Sequence, residues 1–326
     1  MTTTFQPVPA RTRSGWPIAA ILSVIAVAIY VGAALFTGQV SQLSFDGIVG
    51  LIQRMVALGL VALGQTFVIL VASIDLSVAA LISAVAVLAS YLMSGNPAMM
   101  LPAVVACLTL SVALGLVNGL LVAYWGINSL IATLGTGLIV QGVLAAAFTY
   151  LPGAVAPGFL TLAYGGLFGV SWAILLFVLL AVVSGFALNR TLFGARLFAV
   201  GGNPTGARLA GIRTERYLLA AHVACSTLAG IAGLYLAARL QSGTPWIGRD
   251  GIYDLESIAV VVIGGTALSG GRGGVGGTVA GVLLFACLDG AFNMIGVDAF
   301  LKQVLRGAVV IAAVAVHSVR NKGHVA

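Results

Sequence analysis

Apolar residues fall into ten stretches, at 17–36, 52–71, 76–93, 101–124, 127–149, 170–188, 217–238, 255–269, 275–292 and 302–319. Most approach the roughly 20 residues that carry a helix across a bilayer, and short Gly, Pro or Asn-containing gaps separate them. The pattern predicts an all-α, polytopic membrane protein of about ten transmembrane helices, built as one domain over 1–326. Tails at 1–16 and 320–326 and the long polar gap at 189–216 are left outside the bilayer. The first stretch ends in Gly32-Ala33-Ala34, which resembles a cleavage site, but its length and the nine spans behind it favour a retained anchor.

Charge fixes an expected orientation. Placing the N-terminus inside puts Arg11, Arg13, Arg190, Arg196, Arg208, Arg213, Arg216, Arg272, Arg320 and Lys322 on the cytoplasmic side, while the gaps at 37–51, 94–100 and 150–169 carry no Lys or Arg. This is the positive-inside pattern of an even number of spans with both termini cytoplasmic. Arg239, Arg249 and Lys302 fall on the outer side and break it. Composition points the same way: 60% of residues are apolar and 7% charged, against about 25% charged in soluble domains. The net charge of +7 sits in gaps without aromatic platforms, so topology accounts for it and nucleic acid does not. Cys107, Cys225 and Cys287 all lie in apolar stretches, where cysteine behaves as a small hydrophobe.

Among 43 glycines, several recur four apart: Gly115 with Gly119, and Gly273 with Gly277 and Gly281. That spacing lets helices approach closely, which stands in for the hydrophobic driving force absent in lipid. Two faintly related halves are also visible. Val68 to Ser77 can be laid on Val260 to Ser269, and Asn118-Gly119 with Gly126-Ile127-Asn128 on Asp289-Gly290 with Gly296-Val297-Asp298. One match implies parallel repeats and the other inverted repeats; both stay open.

Residues 271–276 satisfy G-x-G-x-x-G after a Val/Ile run, yet no second strand with an acidic ribose ligand follows. A phosphate loop fails too, because Gly271 and Arg272 stand where Lys and Ser/Thr are required. Gly264 and Gly265 instead mark a break between membrane helices. The segment from Ala72 through Asp75 to Ser77 marks another, with Asp75 either capping the next helix or facing a path. Asp289 and Arg306 are charges inside spans, expected to face a bundle interior or cavity; Asp289 serves either the path or a structural ion pair whose partner the sequence does not name, and Asn118 joins them as a pathway candidate. Asp250, Asp254 and Glu256 cluster before a span on the outer side, either as helix-start acids or as a docking point. His222, His317 and His324 form no metal-ligand pattern, and no nucleophile and base share a credible pocket, so neither catalysis nor a cofactor is expected.

The gap at 189–216 is the most basic. Asn203-Pro204 reads as N-cap and first helical residue and Gly211 as a terminator, which predicts a short helix carrying Ala207, Arg208 and Leu209. Such a helix is either a handle for another protein or only a topology determinant.

Four segments together resemble the permease subunits of ATP-driven importers for ribose, arabinose, xylose and galactose-type sugars. They are GQTFVIL with IDLSV (64–78), GLVNGLLVAYWGI with IATLGT (115–136), AVGGNPTGARLAGI (199–212) and IAVVVIGGTALSGGRGGVGGT (258–278). The resemblance implies a second permease chain, identical or paralogous, a cytoplasmic ATPase subunit and an extracytoplasmic sugar-binding protein. It makes Asn203 to Ile212 the coupling helix that seats in a groove of the ATPase, with small Ala207 and Ala210 letting it sit deep. The family usually has Gly-Gly at Ala72-Ser73, Gly at Ala79, Asn near Asp289 and Glu at Asp254, which leaves the solute open. A permease for branched-chain amino acids, an ion-coupled carrier and a membrane scaffold without transport activity remain as alternatives.

Overall fold

The computed structural model describes residues 15–148, 153–298 and 300–308, so both tails and most of the last apolar stretch lie outside the described residues. In chain order the helices are α1 (Gly15–Phe36), α2 (Phe45–Leu70), α3 (Val78–Met93), α4 (Met100–Ala123) and α5 (Ser129–Ala147). A one-turn α6 (Thr161–Tyr164) follows, then α7 (Trp172–Arg190), α8 (Leu192–Gly202), α9 (Pro204–Leu209) and α10 (Thr214–Leu240). The series closes with α11 (Ile247–Asp250), α12 (Tyr253–Ile263) and α13 (Val275–Ile295), and helical backbone resumes over 300–308. Among the described residues, seven helices are long and apolar enough to cross a membrane. The only sheet among the described residues is a hairpin pairing Gly166–Leu167 with Val170–Ser171.

Helix starts follow local capping chemistry. Ser44, Asn128 and Ser171 accept from Gly47, Leu130 and Ile174 N–H at 3.3, 2.9 and 3.4 Å, satisfying donors that an α-helix leaves free. Much of α2, α10 and α13 is buried at the centre, whereas α1, α4, α5 and α7 carry exposed apolar side chains such as Val24, Leu101, Ile139 and Phe186. That is the side-chain distribution of helices that face lipid with one flank and the bundle with the other. All three cysteines are free and buried.

Hydrogen bonds sort the connections onto two ends of the bundle. At one end Gly95 N–H donates to Ala154 O (2.9 Å), Val155 N–H to Gln241 O (3.1 Å), Tyr164 O–H to Arg239 O (2.6 Å) and Gln39 Nε2–H to Met294 O (3.0 Å). This end gathers 37–44, 94–99 and 153–171, where the described residues contain no Lys or Arg. Arg190, Arg196, Arg208, Arg213, Arg216 and Arg272 belong to the opposite end, where Gly271 N–H donates to Leu70 O (2.9 Å).

Two expectations are corrected here. The apolar stretch 255–269 is helical only to Ile263, because Gly264, Gly265 and the following turn break it. Gly273, which was grouped with Gly277 and Gly281 on one helix face, lies before α13 with φ +139° against Thr266. Gly277 and Gly281 do form the contact face: a Cβ on either would overlap the backbone carbonyl of Gly264 or Val260 on α12. Gly115 and Gly119 seat α4 against Val223 and Leu219 of α10 in the same way. Since backbone cannot yield as a flexible side chain does, Gly277→Leu is expected to cut folded protein in the membrane by about tenfold. Size-exclusion chromatography of detergent extracts measures it, and wild-type yield would show that the α12–α13 contact is dispensable.

Candidate functional site

Irregular backbone inside a bilayer survives only if its polar groups find partners. In the first break, 71–77, Ala72 takes a left-handed φ of +57° and Ser73 N–H returns to Val68 O at 3.0 Å. Side chains from α5 take the next donors, with Ser129 Oγ accepting from Ile74 N–H (3.3 Å) and Thr133 Oγ1 from Leu76 N–H (3.0 Å). Gln65 of α2 donates its amide to Asp75 O and accepts from Asp75 N–H at 3.4 Å.

At the centre of this segment the Asp75 carboxylate is fully buried. Its Oδ1 accepts from Ser77 N–H (2.9 Å) and Ser77 Oγ–H (2.6 Å), which fixes the turn before α3, but the N-cap position is Ser77 and no side chain caps the first-turn N–H groups, so Asp75 does not cap α3. Its Oδ2 faces His222 Nδ1 at 3.4 Å and Asn118 Nδ2 at 3.5 Å, both long contacts. Asn118 also donates to Ser77 Oγ (2.8 Å) and accepts from Thr136 Oγ1–H (2.7 Å), while His222 Nε2 lies 3.0 Å from Ser73 Oγ. Asp75, Ser77 and Asn118 therefore meet in one sealed polar cluster held by α2, α4, α5 and α10. None of the three is accessible to solvent in this conformation. Sequence reasoning gave no site role to Gln65, Thr133, Thr136 or His222, and took Ser73 only as part of the break. The polar face Ser129, Thr133, Thr136, spaced four and three apart on α5, was the available signal.

The second break, 264–274, closes on itself and on the first. Thr266 N–H returns to Val261 O (3.1 Å), Ala267 N–H reaches Arg272 O (2.9 Å), and Gly271 N–H bonds Leu70 O at the end of α2. Gly265 is needed for its left-handed φ of +92°, whereas Gly264 has an ordinary φ and is needed for its closeness to Gly277. Gly201 at the end of α8 packs against Leu70 O and Gly271 N, so both breaks touch the segment that leads into α9.

Asp289 and Arg306 come together as an ion pair, and Arg306 also reaches Glu256 Oε1 at 3.0 Å. Glu256, expected among the outer acids, is turned into the protein at 7% exposure and joins this triad. Asp289 and Arg306 keep 27% and 28% of their side-chain surface exposed. Mutual compensation is what lets three charges sit within the apolar helices.

In the 189–216 segment Asn203 caps α9 by accepting from Gly206 N–H (2.9 Å), Pro204 opens the helix, and Gly211 leaves it at φ +78°. Arg208 and Leu209 are exposed, Leu209 at 87%. Ala207 is 5% exposed because it is packed against the protein's own core, so its small size serves this chain and not a partner's groove. An 11-residue helix, α8, also occupies the gap, which was expected to hold only the short one.

A family model described as branched-chain amino acid transport system, permease component, matches residues 47–314. The L-arabinose ABC transporter permease protein of Azospirillum brasilense is 33% identical over 310 residues, 94% of this chain and 90% of its own. The ribose import permease protein of Bacillus subtilis is 34% identical over 274 residues, covering 82% of this chain and 83% of the relative. The galactose/methyl galactoside import permease protein of Haemophilus influenzae is 32% identical over 225 residues, 67% of this chain and 66% of the relative. No solved structure matches.

Proposed function

The chain belongs to the permease components of the branched-chain amino acid transport system family, and from that premise we propose that it forms the translocation path of an ATP-driven sugar importer. It is a transport subunit and not an enzyme. The observation that carries the sugar reading is the near full-length likeness to permeases named for L-arabinose and ribose. Partners are a cytoplasmic ATPase, an extracytoplasmic binding protein and a second permease chain in the inner membrane of a bacterium.

The arginine-rich end is the cytoplasmic one, which puts both termini inside and brings the spans to ten when α3, α12 and the helix beginning at 300 are counted. We read the two halves as inverted repeats. Both α4 and α13 end near a left-handed glycine, Gly126 or Gly296, followed two residues later by a side-chain cap, Asn128 or Asp298, that opens the next helix. Those two turns lie at opposite ends of the bundle. The approach of Gly64 to Cys225 likewise has its counterpart in the Tyr235 O–H bond to Gln53 O (2.6 Å). ATP turnover in the partner moves α9, Gly201 passes that motion to the two breaks, and the two permease chains open alternately to either side. Solute is held weakly on the way, since a tight site would slow release.

Uptake of labelled D-ribose, L-arabinose, D-galactose and L-leucine into cells co-expressing the chain and its partners tests the reading. A sugar is expected to accumulate in an ATP-dependent way, and leucine uptake in its place would return the chain to the amino acid branch. A cysteine at position 205 labelled from outside intact cells would reverse the orientation.

A further inference from the structure

The connection between α10 and α12, residues 241–252, was expected as an outer loop, but it runs inward along α3. Gln241 lies at the end that gathers 94–99 and 153–171, bonded to Val155. Gly243 packs on Ala86 O, and Gly248 packs on Ala79 O while its N–H donates to Ser83 Oγ at 3.0 Å. Gln141 of α5 steadies the descent through Pro245 O (3.0 Å). Ala79 lies about 20 Å along α3 from Met93, at 1.5 Å per residue, so the turn formed by α11 sits far inside the membrane, beside the first break. It is the inverted counterpart of that break: each precedes the first short helix of its half, and the two dip from opposite ends until Gly248 meets Ala79.

This turn presents three side chains that do not suit lipid. Trp246 is 42% exposed, and Arg249 and Asp250 are exposed as well. Among the described residues neither charge has an ion pair, in contrast to Arg306, which is compensated by two carboxylates. Charges at this depth without a partner in their own chain face a water-filled path or a bundle interior rather than lipid.

We propose that the turn 246–250 contacts the solute in the translocation path. The indole face of Trp246 stacks on the C–H face of a sugar-like solute, and Arg249 and Asp250 exchange hydrogen bonds with its hydroxyls, an apolar wall with a few oriented polar groups. The inference rests on the importer reading.

Two measurements on the full chain assembled with its partners test it. In a background lacking Cys107, Cys225 and Cys287, Trp246→Cys is expected to react with a small cationic methanethiosulfonate, and the imported sugar to slow that reaction about fivefold. Trp246→Ala is expected to lower uptake about tenfold at unchanged complex yield, with Trp246→Phe retaining most of it. An unreactive cysteine in assembled complex would place the turn against lipid or the second permease chain and overturn the proposal. So would a reactive cysteine without protection, or full uptake by Trp246→Ala. If the wild-type complex imports none of the sugars but imports leucine, the sugar reading fails, and protection by leucine decides whether the turn still contacts solute.

Discussion

Asp75→Leu is expected to remove most of the folded protein from the membrane, whereas Asp75→Asn is expected to retain it. The carboxylate is the acceptor for Ser77 N–H and Oγ–H, and it faces His222 and Asn118 in a site closed to water. Leucine leaves these donors without an acceptor, and each buried orphan costs about 1–3 kcal/mol, enough in sum to exceed a large part of a typical protein's stability. Asparagine keeps an oxygen for Ser77. Its amide can donate to His222 Nδ1 if the ring changes tautomer and turns Nε2–H toward Ser73 Oγ, which leaves only the long Asn118 contact opposed. Quantitation of detergent-extracted protein decides it. Equal yields of the Leu and wild-type forms would mean that the cluster contributes nothing to the fold.

Much of this arrangement could be read along the chain. The breaks at 71–77 and 264–274 were visible because glycine, serine and aspartate interrupt long apolar runs, and those residues change local backbone preference wherever they occur. The partners of Asp75 were not visible. His222 is 147 residues away and sits in a stretch that is otherwise apolar, and nothing local distinguishes a ligand of a distant carboxylate from a solitary histidine. Charge at Arg306 was recognised as needing compensation, but choosing Glu256 and Asp289 requires knowing that α12 crosses α13. The inward course of 241–252 was missed for a related reason. Its polar residues look the same whether they meet bulk water outside or a wet path within, and only the packing of Gly243 and Gly248 on α3 separates the two. The orientation of α9 was equally hidden, since a helix of six residues is too short to display an apolar face.

That orientation governs how coupling is tested. Ala207→Trp would strike this chain's own core and report on folding, so the exposed residues are the informative ones. Leu209→Asp is expected to leave membrane insertion intact while lowering both ATPase co-purification and uptake by more than about tenfold. The magnitude follows from area: an apolar side chain of this size, nearly bare in the free chain, contributes about 2 kcal/mol when covered, or roughly a 30-fold change in affinity. A carboxylate in its place adds the cost of burying an unpaired charge. Arg208→Glu is expected to weaken association less, because an exposed ion pair contributes at most about 1 kcal/mol. Since Asn203, Pro204 and Gly211 only shape the helix, Asn203→Ala should act through a frayed N-terminus at a cost of about 1 kcal/mol, and Asn203→Asp should restore it. If Leu209→Asp and Arg208→Glu both support normal ATPase association and uptake, α9 transmits nothing, and the basic segment serves only to hold this end of the bundle in the cytoplasm.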